Sequence, residues 1–140
     1  MLKTELIHPQ ILAAIAGAGH GSTVLIADGN YPAGTRVGEN ADIVYLNLCP
    51  DLPTVTQTLE ALLTVLEVES AAVMMPADGE DAPIFKEFEA LLPDNTPMMR
   101  MERFEFYEEA STDDLCLIIV TGDRRHYANL LLTIGVRPED

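Results

Sequence analysis

His20 stands between two glycines in "GHG", and Asp28, eight positions on, is followed by a third, Gly29. An imidazole both gives and takes a proton near neutral pH. Just beyond a helix C-terminus it feels the negative end of the helix dipole, which favours its protonated form, and glycine neighbours leave it open to a small ligand. An aspartate at a strand end can hold sugar hydroxyls or orient a histidine. Each residue also has an ordinary structural use: His20 can cap helix carbonyls, and Asp28 can start an Asx turn into "GNYP".

Two further groups carry chemistry. In "ERFEFYEE", Phe104, Phe106 and Tyr107 crowd around Arg103, which can meet a ligand or pair with a neighbouring glutamate. In "HYANLLL", Tyr127 and Asn129 lie one strand period apart and therefore share a face, offering a hydroxyl and an amide to a polyol. On the same reasoning His126 points away from that face. His8, before Pro9, reads as a surface residue.

Alternating elements must position these groups. "HPQILAAIAGAG" predicts a short helix with Pro9 in its first turn and Ile11, Leu12 and Ile15 on one stripe. Gly17 and Gly19 end it, in the left-handed conformation that helix termini often use. "STVLIAD" is a near-continuous apolar run, as expected of a strand covered on both faces, so His20 and Asp28 flank one buried strand. The turn-rich "GNYPAGTRVGENA" follows, long for a mere connection. "DIVYLNL", "SAAVMMP", "PMMRM", "LCLIIVTG" and "HYANLLLTIGV" predict the remaining strands. "DLPTVTQTLEALLTVLEV", with Asp51 as its cap, "DAPIFKEFEALL" and "ERFEFYEEAS" predict helices. The expected fold class is α/β: a single-domain layered sandwich over residues 1–140, with a largely parallel sheet flanked by helices. In open sheets of this kind ligands bind beyond the carboxyl ends of the strands, where Asp28 falls.

Composition narrows the partners. A formal charge of −15, from 8 basic and 23 acidic residues, argues against nucleic acid and anionic membrane, which need clustered Lys and Arg. No apolar stretch reaches the length of a membrane span, and "MLKTELIHPQ" lacks the pattern of a signal peptide. Cys49 and Cys116 are too few and too far apart for a metal motif or a disulfide framework, which fits a reducing cytoplasm. "GAGHGS" resembles a phosphate loop only superficially: it closes a helix and precedes a strand, the reverse of a nucleotide fingerprint. No metal, nucleotide or other cofactor is expected.

In order and spacing, "GHG" followed by "AD" and "YP", then "RFEFYE", then "TGDRRHYANLLLTIGV" closely resemble the D-ribose pyranase and L-fucose mutarotase family, nearly end to end. "RFEFYE" and "VMMP" look closest to the fucose branch, which has an arginine where the ribose branch has a histidine. By position the resemblance implies that His20 is a proton donor and Asp28 a sugar-binding carboxylate; His20 would act as the acid at the ring oxygen, helped by Asp28 or a bound water. It implies that Arg103 is a substrate contact and that Tyr127, Ala128 and Asn129 are a binding tripeptide. The implied activity is cofactor-independent interconversion of the anomers of a free monosaccharide, L-fucose first. The other readings are a ribose pyranase-type activity, a non-catalytic monosaccharide-binding or transport-accessory protein, and a structural ring protein. Family members form ring-shaped homo-oligomers, decamers among them, with sites at subunit contacts. Exposed loop residues such as Tyr31 and Val37 would suit such contacts. The departures from the family pattern, in "GNYP", "ADGEDAP" and "ASTDDLCLII", fall in loops able to shape a sugar pocket.

Overall fold

A computed structural model describes residues 1–140. In chain order the elements are α1 (Pro9–Ala16), β1 (Thr23–Ala27), β2 (Asp42–Tyr45), α2 (Val55–Leu63), β3 (Val68–Met74), α3 (Ile84–Leu91), β4 (Met98–Met101), α4 (Arg103–Glu109), β5 (Leu115–Val120) and β6 (Leu130–Ile134). The strands form one sheet in the order β2-β5-β1-β6-β3-β4. β1 pairs in parallel with β5, β5 with β2, and β3 with β4. β6 alone is antiparallel, to both β1 and β3. The largely parallel α/β sandwich expected from the alternation of elements is therefore present. Five strands end at one edge of the sheet, and β6 begins there.

β1 is buried along its whole length because both faces of the sheet are covered. Val24 and Ile26 face one core, with Ile11 and Ile15 of α1, Leu59 and Leu62 of α2, and Phe85 and Phe88 of α3. Leu25 and Ala27 face the other, which holds Tyr31 and Ala33 from the long loop and Phe106 and Tyr107 from α4. One face thus carries three helices, while the second carries a single short helix and a loop.

Several local expectations are corrected. The α2 cap is Thr54, whose hydroxyl accepts from Gln57 N while the Gln57 side chain accepts from Thr54 N, a reciprocal box that satisfies two helix-end donors. Asp51 instead adopts φ 65° and pairs with Arg124. Gly17, which closes α1, is right-handed at φ −85°, and the left-handed glycine of this segment is Gly21 at φ 87°. His8 caps α1, its Nδ1 accepting from Ile11 N at 3.3 Å. Cys49 and Cys116 are both free thiols.

The segment from β5 to β6 is pinned by Asp123, which is fully buried. Its carboxylate accepts from Val55 N at the start of α2 (2.9 Å) and from Arg125 Nε and Nη2 (3.0 and 2.8 Å). Burial pushes the Asp123 carboxyl up, but the hydrogen bonds from Arg125 and Val55 outweigh it and hold it below the usual carboxylate range. The stabilisation is therefore present above the unfolded carboxyl pKa and is lost as pH falls through the folded one. Asp123→Ala, which removes both the acceptor of Val55 N at the start of α2 and the buried partner of Arg125, is expected to cost about 3 kcal/mol at pH 7 in urea unfolding. That deficit should shrink in acid, where the wild-type carboxyl is itself protonated.

Candidate active site

A cavity of about 300 Å³ opens at the carboxyl edge of the sheet, lined by Asp28, Asn30, Tyr31, Pro32, Met74, Arg103, Tyr107, His126, Tyr127 and Asn129. Its position follows from the topology. Asp28 continues β1, Met74 ends β3, Arg103 opens α4 directly after β4, and Asn129 precedes β6. Because β6 runs against β1, with Leu130 opposite Ile26, the residue entering β6 lies beside the residues leaving β1.

That adjacency makes a reciprocal pair. Asp28 N donates to Asn129 Oδ1 at 2.9 Å, and Asn129 Nδ2 donates back to Asp28 Oδ2 at 3.2 Å. Asn30 N donates to Asp28 Oδ1 at 2.9 Å, the Asx turn expected of the segment. Asp28 and Asn129 are both buried. Burial raises the Asp28 carboxyl above its ordinary value, and the hydrogen bonds from Asn30, Tyr31 and Asn129 only partly counter it. Asp28 is therefore a carboxyl that takes a proton more readily than one in water.

On the opposite wall Arg103 Nε donates to the Tyr107 hydroxyl at 3.2 Å, an i,i+4 contact on one helix face. Arg103 makes no ion pair with the surrounding glutamates. Its guanidinium lies 5.5 Å from the Tyr107 ring centroid, and that of Arg36 lies 4.9 Å from it. Tyr127 adopts φ 63° in a turn ahead of β6 rather than sitting within the strand. The two-residue period expected for Tyr127 and Asn129 does not apply there, although both reach the cavity. The same turn brings in His126, which the strand reading had pointed away. Ala128 is wholly buried in the helix-covered core, so its methyl does not line the cavity. Tyr31, expected as an exposed contact residue, is buried against Phe106 and Tyr107.

The structure thus brings together Asp28, Arg103, Tyr127 and Asn129. It does not bring His20 to them. His20 precedes β1 and lies at the opposite edge of the sheet, where neighbouring Gly21 N bonds to the carbonyl of Ile134 at the end of β6. With β1 between them, His20 and Asp28 are on the order of 20 Å apart in one chain, at about 3.3 Å per strand residue. His20 is exposed and does not cap α1. Its Nε2 meets Glu69 Oε2 of β3 at 2.9 Å, a contact that fixes the orientation of the ring.

A sequence model of the RbsD / FucU transport protein family matches residues 1–137. The chain belongs to that family. It is 34% identical to the fucose mutarotase of Homo sapiens and 33% identical to that of Mus musculus, covering in each case 94% of this chain and 90% of the relative. The structure of Bacillus subtilis RbsD complexed with D-ribose superposes with a TM-score of 0.83 at 25% identity, over 99% of this chain and 100% of that one. No group of three or more His, Cys, Asp or Glu side chains gathers to hold a metal ion, and no helix is long and apolar enough to cross a membrane.

Of the side chains that the sequence does not single out for the site, Asn30, Tyr31, Pro32, Tyr107 and His126 lie within four residues of ones that it does, and Met74 comes from the end of β3. Tyr107 had a usable signal in its four-residue spacing from Arg103. The left-handed turn at Tyr127 had none, since no glycine or asparagine marks it.

The Asp28–Asn129 pair requires one acceptor-only and one donor-bearing partner. Asn129→Asp faces two carboxylates across a 3.2 Å gap, raising the affinity of the pair for one proton. The variant is expected to lose about 3 kcal/mol at pH 7 in urea unfolding. Because the folded pKa of the pair is raised, stability should return as pH falls through it and remain lost above it.

Proposed function

We propose that this protein is an isomerase that interconverts the α and β anomers of a free monosaccharide, L-fucose first. The observation that carries the reading is the convergence of Asp28, Arg103, Tyr127 and Asn129 on one cavity, in a chain about one-third identical to two fucose mutarotases over nearly its full length. The cavity is small enough for a single sugar ring, and its polar walls offer both donors and acceptors. Pro32 and Met74 add apolar surface against which a deoxysugar methyl can pack.

Anomer exchange needs two proton transfers. A base removes the proton of the anomeric hydroxyl while an acid protonates the ring oxygen, and the hemiacetal C–O bond breaks to give the open aldehyde. Rotation about the C1–C2 bond and the reverse transfers close the ring on the other face. Asp28, easily protonated because it is buried, and the Arg103, Tyr127 and Asn129 groups hold the hydroxyls and keep the pyranose oriented. His20 supplies the acid at the ring oxygen, with Glu69 setting its ring. Since His20 lies at the far edge of its own sheet, it serves the cavity of a second copy, in keeping with a ring-shaped homo-oligomer such as a decamer. A cytoplasmic location, in keeping with two unpaired thiols, belongs to the same reading. The likeness to RbsD bound to D-ribose supports pyranose–furanose exchange of ribose as a second activity.

Saturation-transfer NMR on L-fucose and D-ribose tests this directly. Added protein should speed exchange between the α and β signals of L-fucose. His20→Ala should slow the catalysed exchange by about 10²-fold or more without weakening sugar binding comparably, and Glu69→Gln should give a smaller loss. Sugar binding without any exchange would leave a binding protein in place of an isomerase.

A further inference from the structure

Tyr31 borders the cavity, yet it is only 7% exposed. Its ring packs edge-on against Phe106 and Tyr107, with centroids 6.3 and 5.6 Å away. Its hydroxyl, closed to bulk solvent, finds no hydrogen-bond partner in the chain. A buried hydroxyl in that state is costly, and phenylalanine would fill the same space without the cost. The polar atoms nearby are already engaged. The Tyr107 hydroxyl takes a bond from Arg103, and the two carboxylate oxygens of Asp28 take bonds from Asn30 and Asn129. Burial pushes the Tyr31 hydroxyl well above the ordinary tyrosine range, so it stays protonated and keeps a proton to donate.

We propose that Tyr31 is a specificity-determining contact, its hydroxyl held unpaired in the free protein so as to hydrogen-bond one hydroxyl of the monosaccharide seated in the cavity. The proposal rests on the sugar-isomerase reading of that cavity. Arg36, whose guanidinium sits over the Tyr107 ring and makes no ion pair or side-chain hydrogen bond, is free to move aside as the sugar enters. A site built to bond a hydroxyl discriminates against the analogue that lacks it, because the protein group is then left stranded.

The test compares wild type with Tyr31→Phe. Calorimetric titration would use L-galactose, its 6-deoxy form L-fucose, and the other monodeoxy forms, with thermal unfolding and NMR anomer exchange measured alongside. Removing the hydroxyl should leave the melting temperature unchanged or raise it, since nothing in the chain is lost. It should weaken binding of the fully hydroxylated sugar about tenfold, the upper range for a neutral hydrogen bond. One monodeoxy sugar should bind wild type and variant equally, which identifies the hydroxyl that Tyr31 meets. Unchanged binding of every sugar by the variant would overturn the proposal, as would a uniform loss across the series accompanied by a lower melting temperature. Sugar binding by wild type without anomer exchange would defeat the isomerase reading alone, since the Tyr31 contact is read from the titrations. No binding of any sugar by wild type would defeat both.

Discussion

The reciprocal hydrogen bonds between Asp28 and Asn129 join the two chain segments on which the rest of the cavity is hung. They exist because a single strand in the sheet runs backwards. Were β6 parallel to its neighbours, its first residue would lie at the edge where β1 begins, and Asn129 would be a strand's length away from Asp28. The antiparallel insertion places a strand entrance among strand exits. A carboxylate leaving one strand and an amide entering the next can then satisfy each other while both are buried. The pairing is exacting, because an unpartnered carboxylate or amide at that depth would be expensive. The remaining walls attach to the same edge: α4 follows β4, the Tyr31 loop follows β1, and the Tyr127 turn leads into β6.

The unequal covering of the two sheet faces has the same logic. Three helices seal one face with aliphatic and phenylalanine side chains, and nothing there needs to open. On the other face α4 is only seven residues long, and the loop from Asp28 to Ala41 completes the cover. Loops satisfy fewer of their own backbone groups than helices do and tolerate insertion of a ligand more easily. The aromatic contacts of Tyr31, Phe106 and Tyr107 give this thinner layer enough apolar burial to stay ordered. The helix-sealed core thus lies away from the cavity, while the polar ends of Asp28, Asn129, Arg103 and Tyr107 at its border are held by one another.

Much of this architecture was legible in the sequence, for reasons that can be named. The apolar runs "STVLIAD" and "LCLIIVTG" could only be strands buried on both sides, and the stripe of Val55, Leu59 and Leu62 could only be a helix face. Asp28 and Arg103 each have an ordinary structural use when taken alone, an Asx turn and a pairing with local glutamates, and it is the order and spacing of their motifs along the chain that single them out. What stayed hidden depends on tertiary geometry. The direction of β6 is not written in its own residues, since a short connection from β5 does not state which strand β6 will pair with. The left-handed Tyr127 is held by its surroundings and not by its type, so His126 was turned the wrong way. The separation of His20 from Asp28 was implicit in reading a strand between them. A strand of five residues puts its two flanks at opposite edges, and no single chain can bring them back together.

The distribution of charge bears on the chemistry as well. The chain carries 23 acidic residues and only 8 basic ones, and Arg100, Arg124 and Arg125 are each neutralised by a carboxylate. Arg36 and Arg103 are not. Both lie against the ring of Tyr107, leaving two uncompensated cations beside the cavity in a molecule that is otherwise strongly negative. Cations resting on an aromatic face keep their charge instead of surrendering it to a carboxylate. In ring opening of a hemiacetal, the anomeric oxygen becomes negative as its proton leaves, and a preplaced positive charge lowers the free energy of that moment more than it lowers the energy of the neutral sugar. A carboxylate paired to Arg103 would cancel the field where it is wanted. The absence of such a pair, with Glu102 and Glu105 within two residues of Arg103, leaves the guanidinium, held by Tyr107, with its charge available to a ligand of the cavity.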